Sequence, residues 1–107
     1  MGLDCYVEDA KGEELWYGRK ENEIHGWMQR KSGIPAEDFN CKKLLLTEEL
    51  LEEFISDARD GKLCHTKGFI FGVANDEESV KNNASKLFHA AYPLACDGQK
   101  VYYSSWW

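Results

Sequence analysis

The chain has 107 residues, 43% apolar and 13% aromatic, enough for one core and too hydrophobic for a disordered chain. Its 19 acidic residues outnumber 13 basic ones and leave a net charge of −6, which opposes direct nucleic-acid binding and attachment to anionic membranes. The longest apolar runs, such as Leu44-Leu45-Leu46, are far too short to span a bilayer.

The elements follow in chain order. Leu3 to Val7 alternates apolar and polar and reads as a strand, Asp9 to Gly12 as a turn, and Leu15 to Tyr17 as the hairpin partner. A first helix is expected from about Arg19 to Lys31, stopped by Ser32-Gly33 and Pro35. Cys41 to Leu46 reads as a third strand. Thr47 then caps a second helix that buries Leu50, Leu51, Phe54, Ile55 and Ala58 and stops near Gly61. Gly68 to Gly72 reads as a short strand between glycines. Asp76 caps a third helix with an apolar stripe of Val80, Ala84, Leu87, Phe88 and Ala91, ended by Pro93.

Val101 to Trp107 is the last strand. Its Tyr102-Tyr103-Ser104-Ser105-Trp106-Trp107 is too aromatic to be left in water, so it should dock in the core with Trp106 or Trp107 largely buried. The hairpin demands antiparallel pairing. The expected fold is therefore one α+β domain over residues 1–107, with three helices and an antiparallel or mixed sheet of four to five strands.

Cys5, Cys41, Cys64 and Cys96 are widely scattered and form no C-x-x-C pair, and the acid-rich start does not read as a signal peptide. Reduced thiols and a cytoplasmic location are expected. Cys64, His65, His89 and Cys96 match no common zinc spacing, so neither metal nor cofactor is expected.

The richest segment is Arg19-Lys20-Glu21-Asn22-Glu23-Ile24-His25-Gly26-Trp27. On a helix, Ile24, Trp27 and Met28 share the buried face, while Arg19, Asn22 and Gly26 fall together elsewhere with His25 beside them. Gly26 would let a ligand approach closely. Arg19, Lys20, Asn22, His25 and Gly26, with Ser105 from the last strand, are the candidate pocket for a phosphorylated, nucleotide-type ligand. A solvated helix face is the competing interpretation. The run Glu48, Glu49, Glu52, Glu53 makes an acidic helix face that could attract a basic protein surface.

These residues also carry a resemblance. Met1-Gly2-Leu3-Asp4-x-Tyr6, Arg19-Lys20-x-Asn22-x-Ile24-His25-x-Trp27, Asn40-Cys41, Gly68-Phe69-x-Phe71-Gly72 and Tyr103-x-Ser105-Trp106 occur in the order found in a family of small uncharacterised proteins of tailed phages and prophages. Cys5 stands where that family often has Met. The resemblance spans essentially the whole chain. It implies a phage origin and a host-cell cytoplasmic setting, and it groups Arg19, Asn22, His25 and Ser104-Ser105 in one motif set. It supplies no activity.

The leading functional expectation is a non-enzymatic phage accessory protein. It would counter host defence or redirect a host factor by stoichiometric binding, with a nucleotide-type small molecule in the pocket. The second is a protein–protein inhibitor of a host defence complex acting through the acidic helix. The third is a small hydrolase or transferase using His25 as base. The partner is a host protein or small molecule, and oligomeric state stays open, a homo-oligomer included.

Overall fold

The computed structural model describes residues 3–63 and 76–107. Strands β1 (Asp4–Asp9) and β2 (Glu14–Arg19) form the expected hairpin. Its turn is held by Asp9, whose Oδ1 accepts from the amides of Lys11 at 2.8 Å and Glu13 at 2.9 Å. Gly12 supplies the positive φ of +82° that closes the turn.

Helix α1 (Asn22–Ser32) begins three residues later than expected. Arg19 is still paired with Asp4 in the sheet, so its backbone is extended. Lys20 then takes the left-handed conformation, φ +58°, and donates its amide to Leu3 O at 2.8 Å. That conformation cannot belong to a right-handed helix. Gly33, at φ +72°, ends α1 as expected.

After a short 3₁₀ turn (Ala36–Asp38) comes β3, which is only Leu44–Leu45. The expected strand from Cys41 is cut back because Cys41 adopts φ +63° and Lys42 folds back onto Phe39 O. Helix α2 (Glu48–Arg59) starts where Thr47 accepts the Leu50 amide at 3.1 Å. Helix α3 (Glu77–Cys96) starts where Asp76 accepts the Ser79 amide at 2.8 Å. Pro93 does not end α3. It lies in the last turn, where it removes one i→i−4 hydrogen bond with little helix left beyond it, and the helix runs on to Cys96. The strand expected at Gly68 to Gly72 lies outside the described residues.

The last strand, β4 (Val101–Trp106), pairs with β1 across its whole length. The sheet order is β2-β1-β4-β3, antiparallel throughout. Three helices and a four-stranded sheet among the described residues make the fold α+β, as the hairpin and helical periodicities imply. Leu3, Cys5, Val7, Trp16, Val101 and Tyr103 on the inner sheet face build one core with Ile24, Trp27, Leu51, Phe54, Ala84 and Leu87 from the helices. None of the described helices is long and apolar enough to cross a membrane.

The aromatic tail docks as a strand, but its tryptophans are not the buried residues. Alternation turns Tyr103 and Ser105 inward and Trp106 outward, leaving Trp106 62% exposed. Trp107 is half-buried. The side chain of Asn40 holds the chain end: Nδ2 donates to Trp107 O at 3.2 Å, and Oδ1 accepts the Trp107 amide at 3.1 Å. Cys41 N adds a bond to Ser105 O at 2.7 Å. Replacing Asn40 with Ala removes both side-chain bonds and should cost about 1–2 kcal/mol. A thermal melt should show a fall of roughly 5–15 °C, whereas an unchanged midpoint would mean that the clamp contributes nothing.

Candidate functional site

The inner face of the sheet carries an unusual row. Gly18 of β2, Cys5 of β1 and Ser105 of β4 lie side by side across three strands. All three are small, so the row leaves room for groups from above. A Cβ on Gly18 would sit 2.4 Å from the Trp16 ring and 2.7 Å from Glu21 Cγ, so only glycine lets those two side chains close over the strand.

The start of α1 covers this row with polar side chains. Glu21, Asn22, Glu23 and His25 are all buried. Glu21 Oε1 accepts from Asn83 Nδ2 at 2.5 Å, tying α1 to α3. Its Oε2 is buried with no hydrogen-bond partner among the described residues. Burial, then the neighbouring Glu23 carboxylate, push Glu21 up to about 7.

Beside it, His25 Nδ1 lies 2.9 Å from Tyr103 Oη, which donates to Cys5 Sγ at 3.2 Å. That chain of bonds requires the Nδ1-protonated tautomer of His25. Phe39 and the edge of Trp107 enclose the imidazole, with ring centroids at 5.3 and 4.8 Å. Burial lowers His25 to about 4, so the ring is neutral at pH 7. Burial also pushes the Cys5 thiol up to about 12, so it stays protonated. The group is a sealed, neutral hydrogen-bond chain. A general base needs reach to its substrate's proton, and His25 is 2% exposed.

The six pocket residues expected from sequence are therefore divided. Asn22, His25, Gly26 and Ser105 lie in the interior, whereas Arg19 and Lys20 are exposed. The expected polar stripe assumed that Arg19 was helical. Instead, Arg19 shares a row with Asp4 and Trp106 on the outer face of the sheet, opposite the side holding Ser105. The first two turns of α1, from Asn22 to Met28, are buried on all sides, so Gly26 opens onto no solvent stripe.

The acidic helix face is placed as expected on α2. Glu48 and Glu49 are exposed there, while Glu52 accepts from Tyr92 Oη and Glu53 pairs with Lys31 Nζ. Cys5, Cys41 and Cys96 are free thiols. Cys64 and His65 lie outside the described residues.

A different surface emerges on the outer face of the sheet, away from the helices. The Tyr6 and Tyr17 rings pack at 5.3 Å, and Tyr17 Oη donates to Asp4 Oδ1 at 2.6 Å. Tyr17 is 46% exposed. Lys43 lies over the Tyr102 ring at 5.7 Å. Between these groups runs a groove of about 440 Å³, whose walls include Tyr6, Glu8, Glu14, Lys43, Ser104 and Trp106. Partial burial, then the carboxylates of Asp4, Glu14 and Glu8 among nearby groups, hold the Tyr6 phenol above its usual value. No family model, no curated protein and no solved structure matches the chain.

The signal for this face was present in the sequence. Asp4, Tyr6 and Glu8 alternate along β1, as Tyr102, Ser104 and Trp106 do along β4. Setting both series on one side of a paired sheet yields the surface.

The buried Glu21 and His25 make opposite demands on pH. Glu21 holds its proton more tightly when folded, so its contribution is complete below about pH 4.5 and declines as pH rises toward 7. His25 binds its proton less tightly when folded, so its contribution is complete above about pH 6.5 and is lost as pH falls toward 4. Between pH 4.5 and 6.5 the two slopes oppose each other. Relative to the wild type, Glu21→Gln should make stability rise more steeply with pH in that window, and His25→Phe should make it fall. Urea unfolding at half-unit pH steps measures this. Parallel profiles for all three proteins would show that the two groups titrate normally.

Proposed function

We propose that the chain is a non-enzymatic binding protein that acts stoichiometrically on a host factor and holds it against the outer face of its sheet. The observation that carries this reading is the aromatic outer face: Trp106, 62% exposed on an otherwise well-docked strand, and half-buried Tyr6 line the groove, and exposed Tyr17 packs against Tyr6. Large aromatic side chains supply most of the energy at protein interfaces, and singly scattered apolar groups do not form such a cluster. The resemblance to phage proteins supports a host-directed setting in the cytoplasm and a role in countering host defence.

Three other readings receive less support. A catalytic role for His25 would need a route to a neutral imidazole enclosed by Phe39, Trp107 and Tyr103. A pocket for a phosphorylated ligand would need Arg19 beside Asn22, His25 and Ser105, and the sheet lies between them. The acidic α2 face also has two of its four carboxylates engaged within the chain, by Tyr92 and Lys31.

The test uses the outer face itself. Trp106→Ala with Tyr17→Ala alters exposed side chains, so the melting midpoint should stay within about 5 °C of the wild type. Used as bait in lysate of the bacterial host, the wild-type chain should retain one protein in near-equimolar amount and the double variant should not. Equal retention by both baits would remove the outer face as the binding surface.

A further inference from the structure

We infer that the outer-face groove receives a cationic side chain, a guanidinium or an ammonium group, from a basic segment of the partner protein. The inference rests on the reading above that the outer face is the binding surface, and it adds the chemistry of the occupant.

The carrying observation is a broken rule of strand pairing. Just past a register shift between Val7 and Glu8, Glu8 of β1 is paired with Glu14 of β2, and both line the groove. Like charges directly opposite one another on paired strands destabilise the pair. Neither carboxylate forms an ion pair with a described basic side chain. Lys43 also lines the groove but pairs with neither carboxylate, so among the described residues the rule is broken without an ion pair to offset it, as expected of a functional surface. A cation seated between the two carboxylates would turn their mutual repulsion into attraction for itself.

The rest of the groove fits the same occupant. Tyr6, the next outward residue to Glu8 on β1, and Trp106, farther along β4, line the same groove, and a cation over an aromatic face is attracted to the ring quadrupole. Lys43 over Tyr102 shows the same contact formed within the chain, on the same face. After partial burial, the carboxylates of Asp4, Glu14 and Glu8 add to the rise of the Tyr6 phenol, which places acidic groups near the ring a cation would meet. A phosphate in this position would meet Glu8 and Glu14 and would be repelled. The net charge of −6 favours encounter with a basic partner over a long range.

The test is calorimetric titration of the full chain with a hexa-arginine amide peptide, in low salt and in 0.5 M salt (roughly, for screening). An acidic protein attracts such a peptide everywhere, so the control must remove equal charge elsewhere. Glu8→Gln with Glu14→Gln should weaken binding roughly 3- to 10-fold. Glu48→Gln with Glu49→Gln, which removes two exposed charges from α2, should change it less than about twofold. Trp106→Ala should weaken it roughly 3- to 30-fold through the lost ring face. The groove variant should also melt no lower than the wild type, because a repulsion has been removed.

Equal losses in the two charge variants would reduce the binding to general attraction and overturn the inference. Binding of ATP, lost on Trp106→Ala, would replace the cationic occupant by an anionic one and leave the outer face standing. Arginine binding that depends on Glu8 and Glu14, beside undiminished capture of the host protein by the Trp106→Ala, Tyr17→Ala bait, would support the cation site and overturn the outer face as the main interface.

Discussion

The pairing of β1 with β4 decides where every functional side chain points. It joins the two ends of the chain in the middle of the sheet, with Asp4 opposite Trp106 and Asp9 opposite Val101. Side chains alternate with a period of two, so this single register sends Cys5, Val7, Tyr103 and Ser105 inward and Asp4, Tyr6, Glu8, Ser104 and Trp106 outward. A slip of β4 by one residue would bury Trp106, Ser104 and Tyr102 and expose Tyr103. The Asn40 side chain and the Cys41 amide fix the last turn of the register by bonding Trp107 and Ser105 from a neighbouring loop.

The inner face shows how a small core admits many polar groups without carrying charge at its centre. The row of Gly18, Cys5 and Ser105 leaves space that the Trp16 ring and the Glu21 side chain close over at Gly18, with buried His25 bonded to Tyr103 nearby. Burial keeps His25 and Cys5 neutral and raises Glu21 toward neutrality. The hydrogen bonds from His25 to Tyr103 to Cys5 and from Asn83 to Glu21 then satisfy most of what burial would otherwise penalise. Such a network specifies one arrangement of α1 against the sheet. Any sideways shift of the helix would leave several polar groups unpaired at once.

Much of the fold was legible because its signals are local. The Asp9–Gly12 turn, the Thr47 and Asp76 caps and the Gly33 stop each depend on residues within a few positions of one another. The start of α1 was not legible, because Lys20 carries no mark of a left-handed conformation; its φ is set by the bond from its amide to Leu3 O, formed only once the hairpin exists. That one residue moved Arg19 from the helix to the sheet and divided the expected pocket. Cys41 shortened β3 for a similar reason. Pro93 misled in the other direction, since a helix can absorb a missing donor in its last turn. The grouping of His25 with the Ser104-Ser105 strand did have a spatial counterpart: His25 bonds Tyr103, the next inward residue from Ser105.

The two faces of the sheet thus treat charge in opposite ways. Inside, burial holds His25 and Cys5 neutral and raises Glu21, and hydrogen bonds tie His25 to Tyr103, Tyr103 to Cys5 and Asn83 to Glu21, which stabilises one structure and leaves little to offer a partner. Outside, Asp4, Glu8 and Glu14 stand on the same face as the Tyr6, Tyr17 and Trp106 rings, an arrangement that contributes little to folding and, at the Glu8–Glu14 pair, opposes it. Stability alone would favour Lys or Thr at one of those positions. A surface that is locally unfavourable in the isolated chain, but whose aromatic and acidic groups converge on one groove, is most economically explained by a second molecule that completes it. Because the attraction is electrostatic at long range and aromatic at contact, charge would govern how fast such a complex forms, and Trp106 and Tyr6 how slowly it parts.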